Sequence, residues 1–214
     1  IGKDDAHISI LQHRYKGKKQ IVKILYKKKL YSLEIPLIGY FQIKNLLMAA
    51  AAALKSGLTN DQVFNKITRV KPTPGRLEYI ASTKQSSNII LDFAHTPDAL
   101  EKSLIALKKQ FKKKIVLVFG CGGDRDKKKR LIMGQIANKY CKKIYVTDDN
   151  PRNESPKKIR EAIIKGCNKV VFNIADRKKA IFKAITNLKS DEILLVTGKG
   201  HETKQDYGKK ILKF

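Results

Sequence analysis

The chain contains 214 residues, 42% of them hydrophobic, and carries a formal net charge of +27. The apolar content suffices for a globular core, whereas the longest apolar run, residues 46–54, is far shorter than the roughly 20 residues that span a bilayer. Neither a signal region at the start nor a cysteine pattern typical of disulfide frameworks or zinc sites is present. The composition therefore predicts a cytoplasmic protein without membrane insertion.

Lysine produces most of the charge and recurs in short runs, such as residues 27–29, 112–114 and 127–129. A charge of this size raises the hypothesis of nucleic-acid binding, because lysines attract phosphate backbones. The lysines form no tail and are not interleaved with aromatic residues. This distribution favours a solvated lysine-rich surface with weak affinity for anions and no specific nucleic-acid partner.

The first part of the chain predicts a small sheet followed by two helices. Between residues 8 and 37, short apolar runs alternate with lysines around a Lys-Gly-Lys turn, which is typical of antiparallel strands. Residues 45–54 are rich in leucine and alanine and predict a helix that ends at Gly57. Thr59 is a candidate N-cap for a second helix that runs to about Val70.

Residues 71–75 contain two prolines and a glycine, and we place a domain boundary there, with residues 1–74 and 75–214 as the two regions. In the second region, strand-like runs alternate with amphipathic segments of helical length. The strand candidates are residues 88–93, 114–119, 143–147, 169–172 and 192–197. Right-handed β/α crossovers predict a mostly parallel, Rossmann-like α/β sheet with helices on both faces and functional loops at the carboxyl ends of its strands.

The first polar motif joins Arg76 to Asp92 and His95, which lie at the exit of the second region's first strand candidate. The forked, permanently charged side chain of Arg76 suits a phosphate, and Asp92 can accept hydrogen bonds from ribose hydroxyls. A structural role is the alternative, in which Asp92 accepts hydrogen bonds within the loop and Thr96 caps the next helix.

A glycine-rich turn, residues 119–127, follows the next strand candidate and precedes a helix. Its spacing matches neither the GxGxxG dinucleotide fingerprint nor the GxxxxGK[ST] loop. A tight turn between strand and helix explains the glycines equally well, but it does not explain Arg125 between two aspartates. We interpret Arg125 as a candidate for bidentate binding of a substrate carboxylate.

Residues 147–152, Thr-Asp-Asp-Asn-Pro-Arg, follow the third strand candidate. Asp149 and Asn150 can accept hydrogen bonds from an ammonium group, and Arg152 can bind a carboxylate. A zwitterionic amino-acid head therefore finds complementary partners in one short segment. A structural Asx-turn is the alternative.

Residues 197–202, Thr-Gly-Lys-Gly-His-Glu, follow the last strand candidate. Gly198 can expose backbone groups to a ligand, and Glu202 can bind a second ammonium group. His201 is better interpreted as a structural residue than as a catalyst. The four histidines of the chain predict neither a zinc site nor a Ser/His/Asp triad.

Taken in order, the segments GRLE, DFAHTPDAL, FGCGGDRDKKKR, TDDNPR and TGKGHE resemble the signature motifs of the Mur ligase family. The resemblance implies that residues 1–74 are the C-terminal part of an ATP-binding central domain and that residues 75–214 are a Rossmann-like C-terminal domain. It also implies ATP-dependent joining of an amino acid to a carboxylate through an acyl phosphate, in peptidoglycan synthesis. ATP and Mg²⁺ are the cofactors that this activity implies.

Within the family, the DNPR run is typical of members that add meso-diaminopimelate to UDP-N-acetylmuramoyl-L-alanyl-D-glutamate, so the resemblance implies these two substrates. The positions that correspond to ATP contacts are Asn45, Arg76, Asp92 and His95. The positions that correspond to the amino-acid pocket are Arg125, Asp149, Asn150, Pro151, Arg152, Gly198 and Glu202. No catalytic residue and no metal ligand is assigned in this chain.

Other interpretations stay open with less support. A lysine-adding or other Mur-type amide ligase is the nearest, and a basic anion- or nucleic-acid-binding module is the second. A nicotinamide-dependent oxidoreductase is disfavoured because the GxGxxG fingerprint is missing. The sequence contains neither a GxxxxGK[ST] loop nor an identifiable carbamylated lysine, so we expect these 214 residues to be inactive alone. We also expect a monomer.

Overall fold

The computed structural model describes residues 7–213. The chain forms two compact units that divide between Thr73 and Pro74, one residue before the predicted boundary. That these units are the central and C-terminal domains of a larger ligase stays a prediction. Across the described residues, no helix is long and apolar enough to cross a membrane.

Over residues 7–73, the first unit is an antiparallel sheet with two helices. Its strands are β1 (Ser9–Lys16), β2 (Lys19–Tyr26) and β3 (Lys29–Ile35), in the order β1-β2-β3, and its helices are α1 (Tyr40–Lys55) and α2 (Asn60–Ile67). The predicted hairpin region is confirmed. Thr59 caps α2 as predicted, in a capping box with Gln62. The apolar core includes Val22, Ile24, Leu33, Leu47 and Phe64.

Helix α1 begins at Tyr40, earlier than the predicted start at residue 45. Its N-cap, Gly39, has a φ of 89°, a conformation that favours glycine. The buried Gln20 side chain donates from Nε2 to the carbonyl oxygens of Leu37 at 2.7 Å and Gly39 at 3.1 Å. This contact with a distant strand helps to fix the helix start, which local helix propensity therefore placed too late.

Over residues 74–213, the second unit contains a six-stranded sheet, a two-stranded sheet and four helices. The strands of the large sheet are β4 (Glu78–Ser82), β5 (Asn88–Leu91), β6 (Lys114–Phe119), β7 (Cys141–Val146), β8 (Val171–Asn173) and β9 (Glu192–Val196). The helices are α3 (Pro97–Phe111), α4 (Lys128–Tyr140), α5 (Pro156–Ile164) and α6 (Arg177–Thr186). The small sheet pairs β10 (Lys204–Asp206) with β11 (Ile211–Lys213).

The large sheet has the strand order β4-β5-β9-β6-β7-β8, and all neighbours except β4 and β5 run parallel. The predicted mostly parallel α/β architecture is therefore confirmed. The antiparallel edge strand β4 and the small sheet were not predicted, because these short segments are largely exposed and lack a continuous apolar run. The carboxyl ends of β5, β6, β7 and β9 lie at one edge of the sheet.

Both faces of the large sheet are covered. Helix α6 packs on one face against a cluster that includes Val116, Val118 and Leu194. Successive strand residues point to opposite faces, so the buried Ile115 and Leu117 belong to the other face. Helices α3, α4 and α5 contact the central strands there. The rigid sheet thus fixes the loops at its carboxyl edge.

Candidate functional site

A cavity of about 460 Å³ opens at the carboxyl edge of the large sheet, among the loops that follow β5, β6, β7 and β9. It is lined by seven residues that the sequence predicted for the site: His95, Arg125, Asp149, Asn150, Arg152, Gly198 and Glu202. In the described part of the chain, two larger cavities of about 710 and 720 Å³ contain none of the predicted residues. Four separate sequence motifs therefore converge on one cavity.

Asp92 does not line this cavity. It is 5% exposed, its Oδ1 accepts a hydrogen bond from the N–H of Leu77 at 3.1 Å, and its Oδ2 accepts one from the hydroxyl of Ser103 at 2.6 Å. Thr96 caps α3, as the structural alternative proposed. These contacts favour Asp92 as an acceptor within the protein, and a direct contact with ATP stays a prediction.

The remaining predicted residues lie outside the cavity lining. The exposed guanidinium of Arg76 lies 4.6 Å from the centre of the Phe93 ring, which itself lines the cavity. The ring of His201 stacks near the same phenylalanine, with centres 5.9 Å apart. Pro151 is buried, and Asn45 is exposed on α1 of the first unit. Arg76 is therefore in contact with a residue of the cavity lining.

Asp149 places a buried carboxylate oxygen at the cavity wall. The residue is 9% exposed, its Oδ1 accepts the N–H of Asn150 at 2.8 Å, and no described residue hydrogen-bonds to its Oδ2. Gly198 has a φ of 110°, and a Cβ added there would lie 2.8 Å from this Oδ2. Burial lowers the pKa of nearby Arg177, and the charges of Asp149 and Glu202 oppose the decrease. Because buried polar atoms normally have partners, Asp149 Oδ2 is a candidate acceptor for an ammonium group.

A buried lysine holds Asn150 and Glu202. Lys199 is 1% exposed, and its Nζ donates to Oδ1 of Asn150 at 2.8 Å and to Oε2 of Glu202 at 2.9 Å. Oδ1 of Asn150 also accepts the N–H of Asp206 at 2.9 Å, and Nδ2 donates to Oε2 of Glu202 at 3.1 Å. These contacts do not support Asn150 as an ammonium acceptor, because its side-chain oxygen already accepts two hydrogen bonds. Sequence reasoning missed Lys199, although its place between two glycines was a signal.

Glu202 lines the cavity as an ionised group. Burial raises its pKa, but the hydrogen bonds from Lys199 and Asn150 and the charges of Lys199 and Arg152 lower it, and the net result lies below the ordinary value. At neutral pH the carboxylate is therefore charged. This state fits the predicted role of Glu202 as an acceptor for an ammonium group.

Arg125 and Arg152 bring positive charge to the same cavity. Arg125 is exposed and donates from Nη1 to the carbonyl of its neighbour Asp124 at 3.0 Å. Arg152 donates from Nη1 to the carbonyls of Gly123 at 2.8 Å and Asn150 at 3.4 Å, and its Nε lies 3.8 Å from Oδ2 of Asp206 in a partly exposed ion pair. Its side chain is 26% exposed. Arg152 is thus tethered to the protein, whereas the contact of Arg125 within the described residues is with its chain neighbour, which leaves it more room to adjust to a ligand.

Two loops at this edge touch through glycines: the β6 loop, residues 120–127, and the β7 loop, residues 147–155. A Cβ added to Gly120 would lie 2.2 Å from the carbonyl oxygen of Thr147, and one added to Gly123 would lie 1.9 Å from that of Pro151. The N–H of Gly123 also donates to the carbonyl of the β7 loop at residue 150, at 2.9 Å. These glycines therefore serve the contact between the loops, and Gly120 also lines the cavity.

A buried ion pair also fastens the β6 and β7 loops. Arg130, 4% exposed, donates from Nη1 and Nη2 to Glu154 at 2.9 and 2.8 Å. Glu154 also accepts the N–H of Asp124 at 2.6 Å. Hydrogen bonding by Arg130 lowers the pKa of Glu154 to about 2, with burial opposing and the N–H of Asp124 assisting. Sequence reasoning missed this pair because its members lie 24 positions apart and share no periodic pattern.

Removing the Glu154 carboxylate should change the acid sensitivity of the fold. A carboxyl group with a lowered pKa stabilises the folded state above its ordinary pKa of 4.5, and this contribution is lost as the pH falls towards about 2. For Glu154→Gln we expect a lower free energy of unfolding at neutral pH and a smaller decrease across this acid interval. Urea unfolding followed by circular dichroism at several pH values measures both.

The reciprocal variant Arg130→Met provides the control. It removes the guanidinium that lowers the pKa of Glu154, so it should flatten the same acid interval. If both variants lose stability in acid as steeply as the unmodified protein, the pair does not have the proposed electrostatic role.

Comparison with known proteins adds sequence and structural relatives. The family described as Mur ligase, glutamate ligase domain, matches residues 75–200. The chain is 46% identical over 215 aligned positions to the UDP-N-acetylmuramoyl-L-alanyl-D-glutamate--2,6-diaminopimelate ligase of Rickettsia montanensis, covering 99% of this chain and 44% of the relative. The chain therefore spans less than half the length of this curated relative.

Solved structures agree with this result. A structure of a UDP-N-acetylmuramoyl-L-alanyl-D-glutamate--2,6-diaminopimelate ligase superposes with a TM-score of 0.72 at 30% identity, covering 99% of this chain and 44% of the other. The MurF ligase from Thermotoga maritima in complex with ADP superposes with a TM-score of 0.69 at 20% identity, covering 92% and 44%. At that identity the second likeness concerns the fold alone.

Proposed function

The chain belongs to the Mur ligase family, and we propose that it is the part of such a ligase that binds meso-diaminopimelate for addition to UDP-N-acetylmuramoyl-L-alanyl-D-glutamate. The proposal describes a cytoplasmic enzyme of peptidoglycan synthesis that uses ATP and Mg²⁺. It is supported by the relative that is 46% identical over 99% of this chain and carries the name of this ligase.

One observation supports an amino-acid binding site: side chains of both charges, which complement an ammonium and a carboxylate group, line a single cavity. Asp149 offers a buried carboxylate oxygen without a partner among the described residues, and Arg125 and Arg152 bring two guanidinium groups. An α-amino-acid head has one ammonium and one carboxylate group, so it neutralises both kinds of side chain at once. The ionised Glu202 adds a second acceptor for the ammonium group.

This arrangement can bind one end of diaminopimelate and direct the other end to the reaction. ATP supplies the phosphoryl group that activates the D-glutamate carboxylate of the UDP-linked dipeptide as an acyl phosphate. The free amine of the bound amino acid attacks this acyl phosphate, and the tetrahedral intermediate collapses to the amide and phosphate. The residues of this chain contribute by holding the nucleophile in a fixed orientation, which lowers the entropic part of the barrier.

Among the predicted ATP contacts, Arg76 and His95 fit this role best. The guanidinium of Arg76 is exposed near the cavity, and His95 lines it with its Nδ1 3.0 Å from the carbonyl oxygen of Phe93. Asn45 is exposed on α1, whereas Asp92 acts through the loop that it stabilises. Within the described residues, no group of three or more His, Cys, Asp or Glu side chains could hold a metal ion.

Selection against L-lysine follows from the same charges. Diaminopimelate carries a second carboxylate that lysine lacks, and this group is the partner that Arg125 and Arg152 require. With lysine bound, Arg125 and Arg152 would keep their contacts within the protein but lack the carboxylate that diaminopimelate supplies. A site that loses a charged hydrogen bond in this way rejects the smaller analogue strongly, by well over about 100-fold.

Phosphate release tests the proposal. The complete reading frame that encodes this chain is supplied with ATP, magnesium and the UDP-linked dipeptide, and meso-diaminopimelate is compared with L-lysine. We expect release with diaminopimelate at least about 100-fold more efficiently than with lysine. Preference for lysine would agree with a ligase but contradict the assignment of Arg125 and Arg152 to a carboxylate of the substrate. Release with neither, together with salt-sensitive binding to generic DNA, would favour a basic binding module.

A further inference from the structure

We propose that Lys199 is a positioning residue for the amino-acid substrate, because it holds the Glu202 carboxylate, directly and through the Asn150 amide, in the orientation that receives the ammonium group. This inference rests on the proposed function. It concerns a residue that contacts the substrate only through its neighbours.

The backbone around Lys199 turns its side chain into the protein. Gly198 and Gly200 have φ values of 110° and 51°, and an added Cβ at Gly200 would lie 2.9 Å from the Phe93 side chain. Side chains at either position would strain the turn or collide with neighbours. The lysine between them is consequently 1% exposed, although it belongs to the loop that follows β9.

A buried ammonium group is costly unless polar partners replace its water. Lys199 finds an anion in Glu202 at 2.9 Å and an amide oxygen in Asn150 at 2.8 Å. The β7 loop and the loop after β9 are therefore joined at the cavity wall through one cation. The cost of burying the charge makes this arrangement strongly dependent on both partners.

The contacts of Lys199 fix the orientation of the Asn150 amide. Its Oδ1 accepts from Lys199 and from the N–H of Asp206, so its Nδ2 points to Glu202 at 3.1 Å. Oε2 of Glu202 thus accepts two hydrogen bonds within the protein. Because Oε2 already accepts these two hydrogen bonds, the other carboxylate oxygen, Oε1, is the one that we assign to the ligand.

Lys199 also affects the charge state of Glu202. The net pKa of this carboxyl group lies below its ordinary value, and the first contribution that opposes burial is the hydrogen bond from Lys199. Without the lysine, the pKa of Glu202 would rise, although the hydrogen bond from Asn150 and the charge of Arg152 would still oppose burial. The carboxylate would then become protonated at a higher pH and stop binding the ammonium group as the pH falls.

A purely structural role predicts different behaviour. If Lys199 only tied two loops together, its loss would weaken the binding of all substrates, and the pH dependence would not move. If it acts through Glu202, the defect concentrates on diaminopimelate and its size depends on pH. The two roles are therefore separable by kinetics.

The experiment compares Lys199→Met with the unmodified full-length protein in the phosphate-release assay. We expect kcat/KM for diaminopimelate to fall at least 30-fold, KM for ATP to stay within twofold, and the acidic limb of the kcat/KM profile to move to higher pH. Combining Lys199→Met with Glu202→Gln should add little to the loss from Glu202→Gln alone, since both changes disable the same acceptor. Lys204→Met, an exposed lysine on β10, is the matched control and should behave like the unmodified protein.

An equal loss for ATP, an unmoved acidic limb, or full additivity in the double variant would overturn the proposal for Lys199. If the unmodified protein uses another amino acid instead of diaminopimelate, the proposed function fails. The same variants measured with that amino acid still test Lys199, because any α-amino acid presents an ammonium group to Glu202.

Discussion

Replacement of Arg152 by alanine should raise KM for meso-diaminopimelate by at least about 100-fold while KM for ATP changes less than about twofold. Loss of one partner from a desolvated charge pair costs about 3 kcal/mol or more, which corresponds to this factor. Arg152 is placed for such a pair because it lines the cavity with its side chain 26% exposed. Steady-state kinetics with each substrate varied in turn measures both constants.

Two further variants show whether the loss reflects ligand binding. Arg152 also donates to the carbonyls of Gly123 and Asn150, so the alanine variant removes structural contacts as well. Among the described contacts, Arg125→Ala removes one hydrogen bond, to the neighbouring Asp124, and it should still impair diaminopimelate use. Arg152→Lys keeps the charge but loses the planar guanidinium group that can donate two parallel hydrogen bonds to a carboxylate. This variant should recover only part of the affinity for diaminopimelate. An unchanged KM for diaminopimelate in Arg152→Ala would refute the assignment.

The substitution Gly123→Ala should destabilise the second unit by about 3 kcal/mol or more. Its Cβ would lie 1.9 Å from the carbonyl oxygen of Pro151 and 2.7 Å from the carbonyl carbon, and these are backbone atoms that cannot rotate away. Overpacking typically costs about 1–3 kcal/mol, and a collision with backbone belongs at the upper end or beyond. Urea unfolding measures the loss.

The neighbouring glycine provides the control. At Gly122, the first atom that an added Cβ would meet is Nη1 of Arg152, at 3.0 Å, which is the end of a flexible side chain. Gly122→Ala should therefore cost less than about 1 kcal/mol. Equal stability of the two variants would show that the β6 and β7 loops separate easily, contrary to the structure.

Sequence patterns predicted the parts of the protein that local rules govern. The strand candidates that correspond to β5, β6, β7 and β9 contain apolar runs, and those of β6 and β9 are almost entirely buried because parallel strands are covered on both faces. Their order along the chain placed four polar motifs at one sheet edge, and the cavity there contains seven of the predicted residues. A side chain that follows the carboxyl end of such a strand must lie near this edge of the sheet.

Local sequence patterns could not predict the contacts between the motifs. The oxygen of Asn150 was expected to meet a ligand, but Lys199 from another loop occupies it. The sequence of the β6 loop is equally compatible with a simple turn. The close approach of Gly120 to Thr147 and of Gly123 to Pro151 shows which surface these glycines face. The partner of Arg130 likewise depends on how the loops after two strands meet. Such pairings follow from tertiary geometry, which a single sequence does not display.

The interlocked β6 and β7 loops also bear on how a pocket of this kind can acquire a new ligand. A carbonyl of Pro151 fills the space that a side chain at Gly123 would need, and Glu154 reaches back to the N–H of Asp124. A graft of the DNPR run alone into a different ligase would therefore leave behind the β6 loop that fits it in this chain. If the proposed pocket sets the substrate preference, we expect its exchange between relatives to require both segments, together with Arg130, transplanted as one block.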